Sequence, residues 1–216
     1  MKLAGDAAES ILDTVQDSAY DEDTVIGLFN QCAKGVSRRL VLPSLDTEGT
    51  VTTVTNGPSV ALPANFQTNL YYCKDQSIST HTIEICNSKD QLARYYDDKL
   101  IKTGTRVRGV AAVRPQLYYA PIPTVATTLT LRYQKLPDAI NAATDLDAIT
   151  PDGFSDLWEN YALWKLYEKI EQGMEGQKVD TTYYMNLYLG LFDELSTSLK
   201  EGVSMPAPPV ARMERW

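Results

Sequence analysis

The sequence predicts an α+β fold, with helices at both ends, an inserted antiparallel β domain and an extended C-terminal tail, and three features carry that reading. Apolar residues recur at three- and four-residue steps before residue 45 and again after 152. Between about 50 and 136 the period drops to two. Prolines stand at the joints and crowd the last fifteen residues. The expected divisions are a helical hairpin over 1–45, a β domain over 46–137, a helical pair over 138–201 that completes a bundle with the first, and a tail over 202–216.

The first helix rests on Leu3, Ala7, Ile11, Leu12 and Val15, and "DSAYDED" closes it. In the second, Asp21 and Asp23 stand where a carboxylate caps free amides and meets the helix dipole. Val25, Ile26, Phe29, Cys32, Ala33, Val36 and Leu40 form its apolar stripe, and Arg38 and Arg39 end it before Pro43.

In "VTTVTNGPSVALPANF" two β-branched runs flank Asn56-Gly57, a strong turn signal, so 51–62 reads as a hairpin. Pro63 cannot donate to a ladder and stops the second strand. Leu70–Cys73 and Thr82–Ile85 read as strands, 88–96 as a short helical turn, and 105–113 and 116–120 as strands around Arg114-Pro115. After the Pro-Ile-Pro turn, a long strand sets Leu129, Leu131 and Tyr133 on one face and Thr128, Thr130 and Arg132 on the other.

Beyond a polar connection at 138–152, Leu157, Tyr161, Trp164 and Tyr167 mark one face of a helix. Phe154, Trp158, Ala162, Leu163, Leu166 and Ile170 broaden that face, so the helix is expected to lie between neighbours. "GMEGQ" is a loop. Residues 180–201 form the cleanest amphipathic helix, through Tyr184, Leu187, Tyr188, Leu191, Leu195 and Leu199.

At 216 residues the chain is long enough to bury a core without metal or disulfide. Its formal charge of −8 argues against wrapping nucleic acid, which needs Lys and Arg against phosphates. No apolar run is long enough to span a membrane, and "MKLAGDAAES" lacks the apolar core of a secretion signal, so a reducing cytoplasm is the expected place of synthesis. Cys32, Cys73 and Cys86 have no metal-ligand spacing and read as buried thiols.

Catalytic patterns are missing from the sequence. His81 is the single histidine, which removes multi-histidine metal sites, and nothing in the sequence supplies the nucleophile and orienter that would make it a catalytic base, so it reads as a solvated loop or strand residue. No phosphate-binding glycine loop, nucleophile elbow or zinc-protease motif occurs. "DLDAITPDG" lacks the spacing of a calcium loop, and Asp97-Asp98 reads as a solvated turn. The expectation is a non-enzyme that needs no cofactor.

What stands out is tyrosine, 13 against 4 phenylalanines, with Tyr118-Tyr119 among the pairs in the β half. Tyrosine joins apolar area to a hydroxyl and suits interfaces or half-exposed sheet faces. Arg106, Arg108 and Arg114, with Lys102, give a local basic strand in an acidic chain, a solvated face or a contact for an acidic neighbouring subunit. The tail reads either as a disordered terminal fringe or as a stiff segment suited to docking on a partner, in which Val203, Met205, Val210, Met213 and Trp216 are apolar anchors around Pro206, Pro208 and Pro209.

The order "RRLVLPSL", "GTVTTVTNGPSVALPANF", "YYAPIPTVATTLTLRYQKLPDAI" and "ITPDGFSDLWENYALWKLYEKIEQGMEGQ" resembles the head-to-tail adaptor (connector) proteins of tailed bacteriophages, the type with a β domain inserted between helices. The resemblance covers roughly residues 5–200. It implies a virion neck protein that forms a ring beneath the portal, widely of twelve copies, and bridges portal to tail or nozzle. DNA passes through its channel without specific binding, and no membrane is involved. The tail residues Met205, Pro206, Pro208, Pro209, Val210, Met213 and Trp216 are then candidates to bind the portal, and Arg106, Arg108, Arg114, Tyr118 and Tyr119 to contact subunits or tail. Alternative readings are another neck or tail-completion protein, or a tyrosine-rich β module that binds glycans or peptides.

Overall fold

The computed structural model describes residues 2–77, 82–97, 103–150, 153–172 and 179–202. Among them the fold is α+β, with five α-helices and largely antiparallel sheets. The chain opens with α1 (Ala4–Val15) and α2 (Glu22–Ser37). There follow β1 (Asp46–Thr52), β2 (Ser59–Ala61), β3 (Phe66–Asp75), β4 (Glu84–Ile85) and α3 (Lys89–Asp97). Next come β5 (Thr103–Gly104), β6 (Gly109–Val113), β7 (Gln116–Ala120), β8 (Ile122–Pro123) and β9 (Thr128–Lys135). The last elements are α4 (Asp156–Ile170) and α5 (Val179–Gly202). Two compact units result, 1–42 with 138–216, and 43–137.

In the helical unit, Asp21 accepts the Thr24 amide at 2.9 Å, which starts α2 where the sequence predicts. Gln16 ends α1 in the left-handed region at φ 52°, its amide returning to the Leu12 carbonyl. α4 touches α1, α2 and α5, which is why its apolar face is so broad. Leu157, Trp158, Ala162 and Leu166 are fully buried there. The connection at 138–150 is not merely polar, since Ile140 and Leu146 are core residues. Asn30 imitates a strand to hold it, donating to the Ile140 carbonyl at 3.0 Å and accepting the Ile140 amide at 2.9 Å.

In the β unit, one sheet has the order β1-β9-β3, a second β2-β7-β6-β4, and β5 pairs with β8. Their core is aliphatic, built on Val110, Leu117, Leu129 and Leu131, with Phe66 against Tyr133 at 5.1 Å. In β9 Leu129, Leu131 and Tyr133 are buried and Arg132 is exposed as expected, but Thr130 and Gln134 on the Arg132 face are buried too, because β9 is the middle strand of its sheet. β6 and β7 form a hairpin around Arg114-Pro115, although the first of them is shorter than 105–113. The short helix also lies where expected, as α3.

The hairpin over 51–62 does not form. β1 pairs with β9 through seven residues, and β2 pairs with β7. The turn itself is present: Asn56 is left-handed at φ 58° and the Gly57 amide donates to the Val54 carbonyl at 3.0 Å. A side chain on Gly57 would come 3.0 Å from that of Val54, which would have to shift to admit it. The obstacle is Pro58. A two-residue hairpin loop is closed by the amide that follows it, and proline has none. The turn therefore carries the chain from one sheet to the other. Pro63 does follow the end of β2, and its carbonyl accepts the Phe66 amide at 2.9 Å.

Candidate interaction surfaces

Among the described residues no group of three or more His, Cys, Asp or Glu stands together as a metal site. Cys32, Cys73 and Cys86 are buried, and burial raises all three thiols, Cys73 to about 12, so none is a poised nucleophile. A groove of about 380 Å³ lined by Gly5, Glu9, Leu12 and Glu22 offers two carboxylates and no nucleophile.

Strand geometry separates the Tyr118-Tyr119 pair. Successive side chains of β7 point to opposite faces. Tyr119 points inward at 2% exposure, and its hydroxyl accepts the Val54 amide at 2.9 Å and donates to the Ser59 carbonyl at 3.1 Å. It is a latch across the 54–59 crossing, and its burial leaves no surface to offer a neighbour. Tyr118 is half-buried beside Cys86, Leu92 and Ala111, with the Lys89 ammonium 4.5 Å from its ring centre.

Nor do the arginines make one basic strand. Arg106 and Arg108 are exposed just before β6, whereas Arg114 is exposed in the turn beyond its far end. Six residues of extended chain set Arg108 and Arg114 roughly 20 Å apart. The strand between them, Gly109–Val113, carries no charge. Lys102 and His81 lie outside the described residues, as do Met205, Pro206, Pro208, Pro209, Val210, Met213 and Trp216.

Two surfaces were not singled out by the sequence. On the open face of the β1-β9-β3 sheet, Arg132 pairs with Glu48 at 3.1 Å and lies 5.5 Å from the Tyr72 ring centre, while the Tyr71 hydroxyl donates to Asp46. Desolvation and that carboxylate push the Tyr71 phenol up to about 12. The alternation of β9 placed Arg132 outward, but only the register reveals which β1 and β3 residues meet it. The second surface is the seam of α4 and α5. Trp164 stacks on Tyr188 at 5.7 Å and Tyr167 on Tyr184 at 5.4 Å, with Tyr161 edge-on to Tyr188 at 5.2 Å. Glu171 closes the seam by accepting the amides of Asp180 and Thr181, two of the free donors in the first turn of α5. Beyond it, Val179, Tyr183 and Leu187 recur every four residues on the solvent side of α5, 60%, 57% and 39% exposed.

The molecule thus presents no reaction centre among its described residues and several apolar, aromatic and cationic surfaces. Against that geometry, the model of the SU10 adaptor protein family matches residues 3–212, nearly the whole chain. The chain belongs to the SU10 adaptor protein family. As a member, this SU10 adaptor has the structural role of a phage head-tail adaptor, and the family is not one of enzymes. Comparison with curated proteins returns no match.

Proposed function

We propose that this adaptor assembles into a closed ring, of twelve copies, beneath the portal in the virion neck, where it joins the portal to the tail or nozzle and continues the DNA channel. The observation that carries the reading is the family match over residues 3–212. In this reading the helices of 1–45 and 138–201 make one bundle, the β domain of 46–137 is a lateral and tail-side platform, and 202–216 inserts between portal subunits. Met205, Val210, Met213 and Trp216 supply its anchors, with Pro206, Pro208 and Pro209 keeping it extended. Arg106, Arg108, Arg114 and Tyr118 contact the adjacent subunit or the tail.

The charge of −8 supports a channel through which DNA slides, because carboxylates repel phosphates. Assembly in the host cytoplasm follows, and no described helix is long and apolar enough to cross a membrane. The test is mass photometry of the full chain, and of a chain ending at Gly202, each alone and mixed with the portal protein. A closed ring with portal for the full chain and none for the shortened one is the expected result. An unchanged mass in every mixture would refute the portal-bound ring and direct the search to tail-side partners.

A further inference from the structure

The edges of the β1-β9-β3 sheet differ. Just beyond the last pair of the β1–β9 ladder, the Thr53 amide donates to the Thr127 carbonyl at 2.9 Å. In an antiparallel ladder, residues bonded to the partner strand alternate with residues whose amide and carbonyl point away. By that alternation Thr47, Gly49 and Val51 turn to β9, and Asp46, Glu48, Thr50 and Thr52 turn outward. Among the described residues no backbone group meets those four, and their side chains are exposed.

The other edge is closed. Ile83 donates to the Cys73 carbonyl at 2.9 Å, Lys74 bridges Thr82, and β3 is irregular between Phe66 and Tyr72, with Asn69 at φ 55°. A sheet open on one side cannot extend indefinitely; it can be completed once. β1 also lacks the usual edge guards, having no proline, lysine or bulge. Its carboxylates are held within the sheet, Asp46 by Tyr71 and Glu48 by Arg132.

We propose that β1 pairs with β1 of a second copy, antiparallel about Gly49, to make a six-stranded sheet across a two-fold axis. In this register all four outward residues of each copy are paired, Asp46 opposite Thr52 and Glu48 opposite Thr50. Each carboxylate meets a hydroxyl, which can donate to it. Centring on Glu48 instead sets Glu48 against Glu48, a destabilising like-charge pair, and centring on Thr50 leaves Asp46 unpaired. Gly49 then faces Gly49 where the strands approach most closely. Each glycine is covered from its own side by Tyr133, whose hydroxyl stands 2.9 Å from where a Cβ would sit. A two-fold contact differs from the head-to-tail contacts a ring requires, so this pairing belongs to the chain before assembly and does not rest on the adaptor reading.

The test uses the full chain alone, by sedimentation velocity over a rising concentration series with amide hydrogen exchange. The contact is smaller than a standard interface, so a weak monomer–dimer equilibrium is expected, with protection gained over 46–52 as dimer forms. Thr50→Pro removes an outward amide and no bond to β9, and should weaken the dimer about tenfold or more. Thr50→Val keeps the amide and loses only the hydroxyl opposite Glu48, so it should weaken the dimer less than Thr50→Pro does. Mixing Asp46→Cys protein with Thr52→Cys protein should give a crosslinked heterodimer that neither forms alone. A monomer at every concentration, a dimer indifferent to Thr50→Pro, or no crosslink in the mixture would overturn the proposal. Protection of β1 that arises only on adding portal or tail protein would overturn it too, and would assign the edge to a foreign strand.

Discussion

Tyrosine serves different ends in the two units. In the β unit the buried hydroxyls are anchored: Tyr119 bridges Val54 and Ser59, and Tyr133 donates to Asn65 at 2.7 Å. In the α4–α5 seam, Tyr161, Tyr167, Tyr184 and Tyr188 contribute ring faces, and none of their hydroxyls bonds a described residue. A hydroxyl latch fixes where a crossing segment lies. A stack of rings fixes only how closely two helices approach, so the seam needs area and the β unit needs address.

Substitutions can break this contrast. Tyr119→Ala removes both ring and latch and should cost about 3–5 kcal/mol, read from urea unfolding by far-UV circular dichroism, since residues 43–137 contain no tryptophan. Tyr188→Ala empties the seam and should cost about 2–3 kcal/mol. Its probe is the fluorescence of Trp158 and Trp164, both in α4. The sharpest comparison keeps the ring: Tyr119→Phe orphans an amide and a carbonyl for about 1–3 kcal/mol, whereas Tyr188→Phe should stay within about 0.5 kcal/mol at neutral pH. Equal losses in the two phenylalanine variants would end the distinction.

Alkaline titration sharpens the contrast from another side. Burial pushes the Tyr188 phenol up to about 12 from its ordinary value near 10. Between those values the unfolded chain has released the proton and the folded one has kept it, so stability falls as pH rises through 10 and is unaffected below. Thermal midpoints from about pH 9 to about pH 11.5 should decline less in Tyr188→Phe than in the parent. A parallel decline would mean that Tyr188 ionises freely in the folded state.

Where local pattern decided structure, it could be read in advance. The Asp21 cap, the faces of β9 and the breadth of α4 each follow from spacing within one element. Pairing was the harder part. Asn56-Gly57 pointed to a hairpin, yet the missing amide of Pro58 and the seven-residue partner offered by β9 were decisive. The same gap separates Tyr118 from Tyr119, since composition marks a pair and the pleat sends its members to opposite faces. In α5 the predicted stripe included Leu187, which is 39% exposed; its spacing fits a helix face, but the buried side is set by α4, through Tyr188 and Leu195. Of the candidate contacts, the arginines were legible as exposed cations, but their separation along β6 needed the strand boundaries.

The crossing at 53–59 has a consequence for the nascent chain. Because β1 skips its neighbour, its partner β9 begins about eighty residues later. At roughly 5–20 residues per second, β1 leaves the ribosome several seconds before anything can pair with it. β6 and β7 are separated by two residues, so each has its partner as soon as both are made. Synthesis therefore leaves the second sheet ready while the first waits for its middle strand, and the interval is when β1 is most open to a wrong partner.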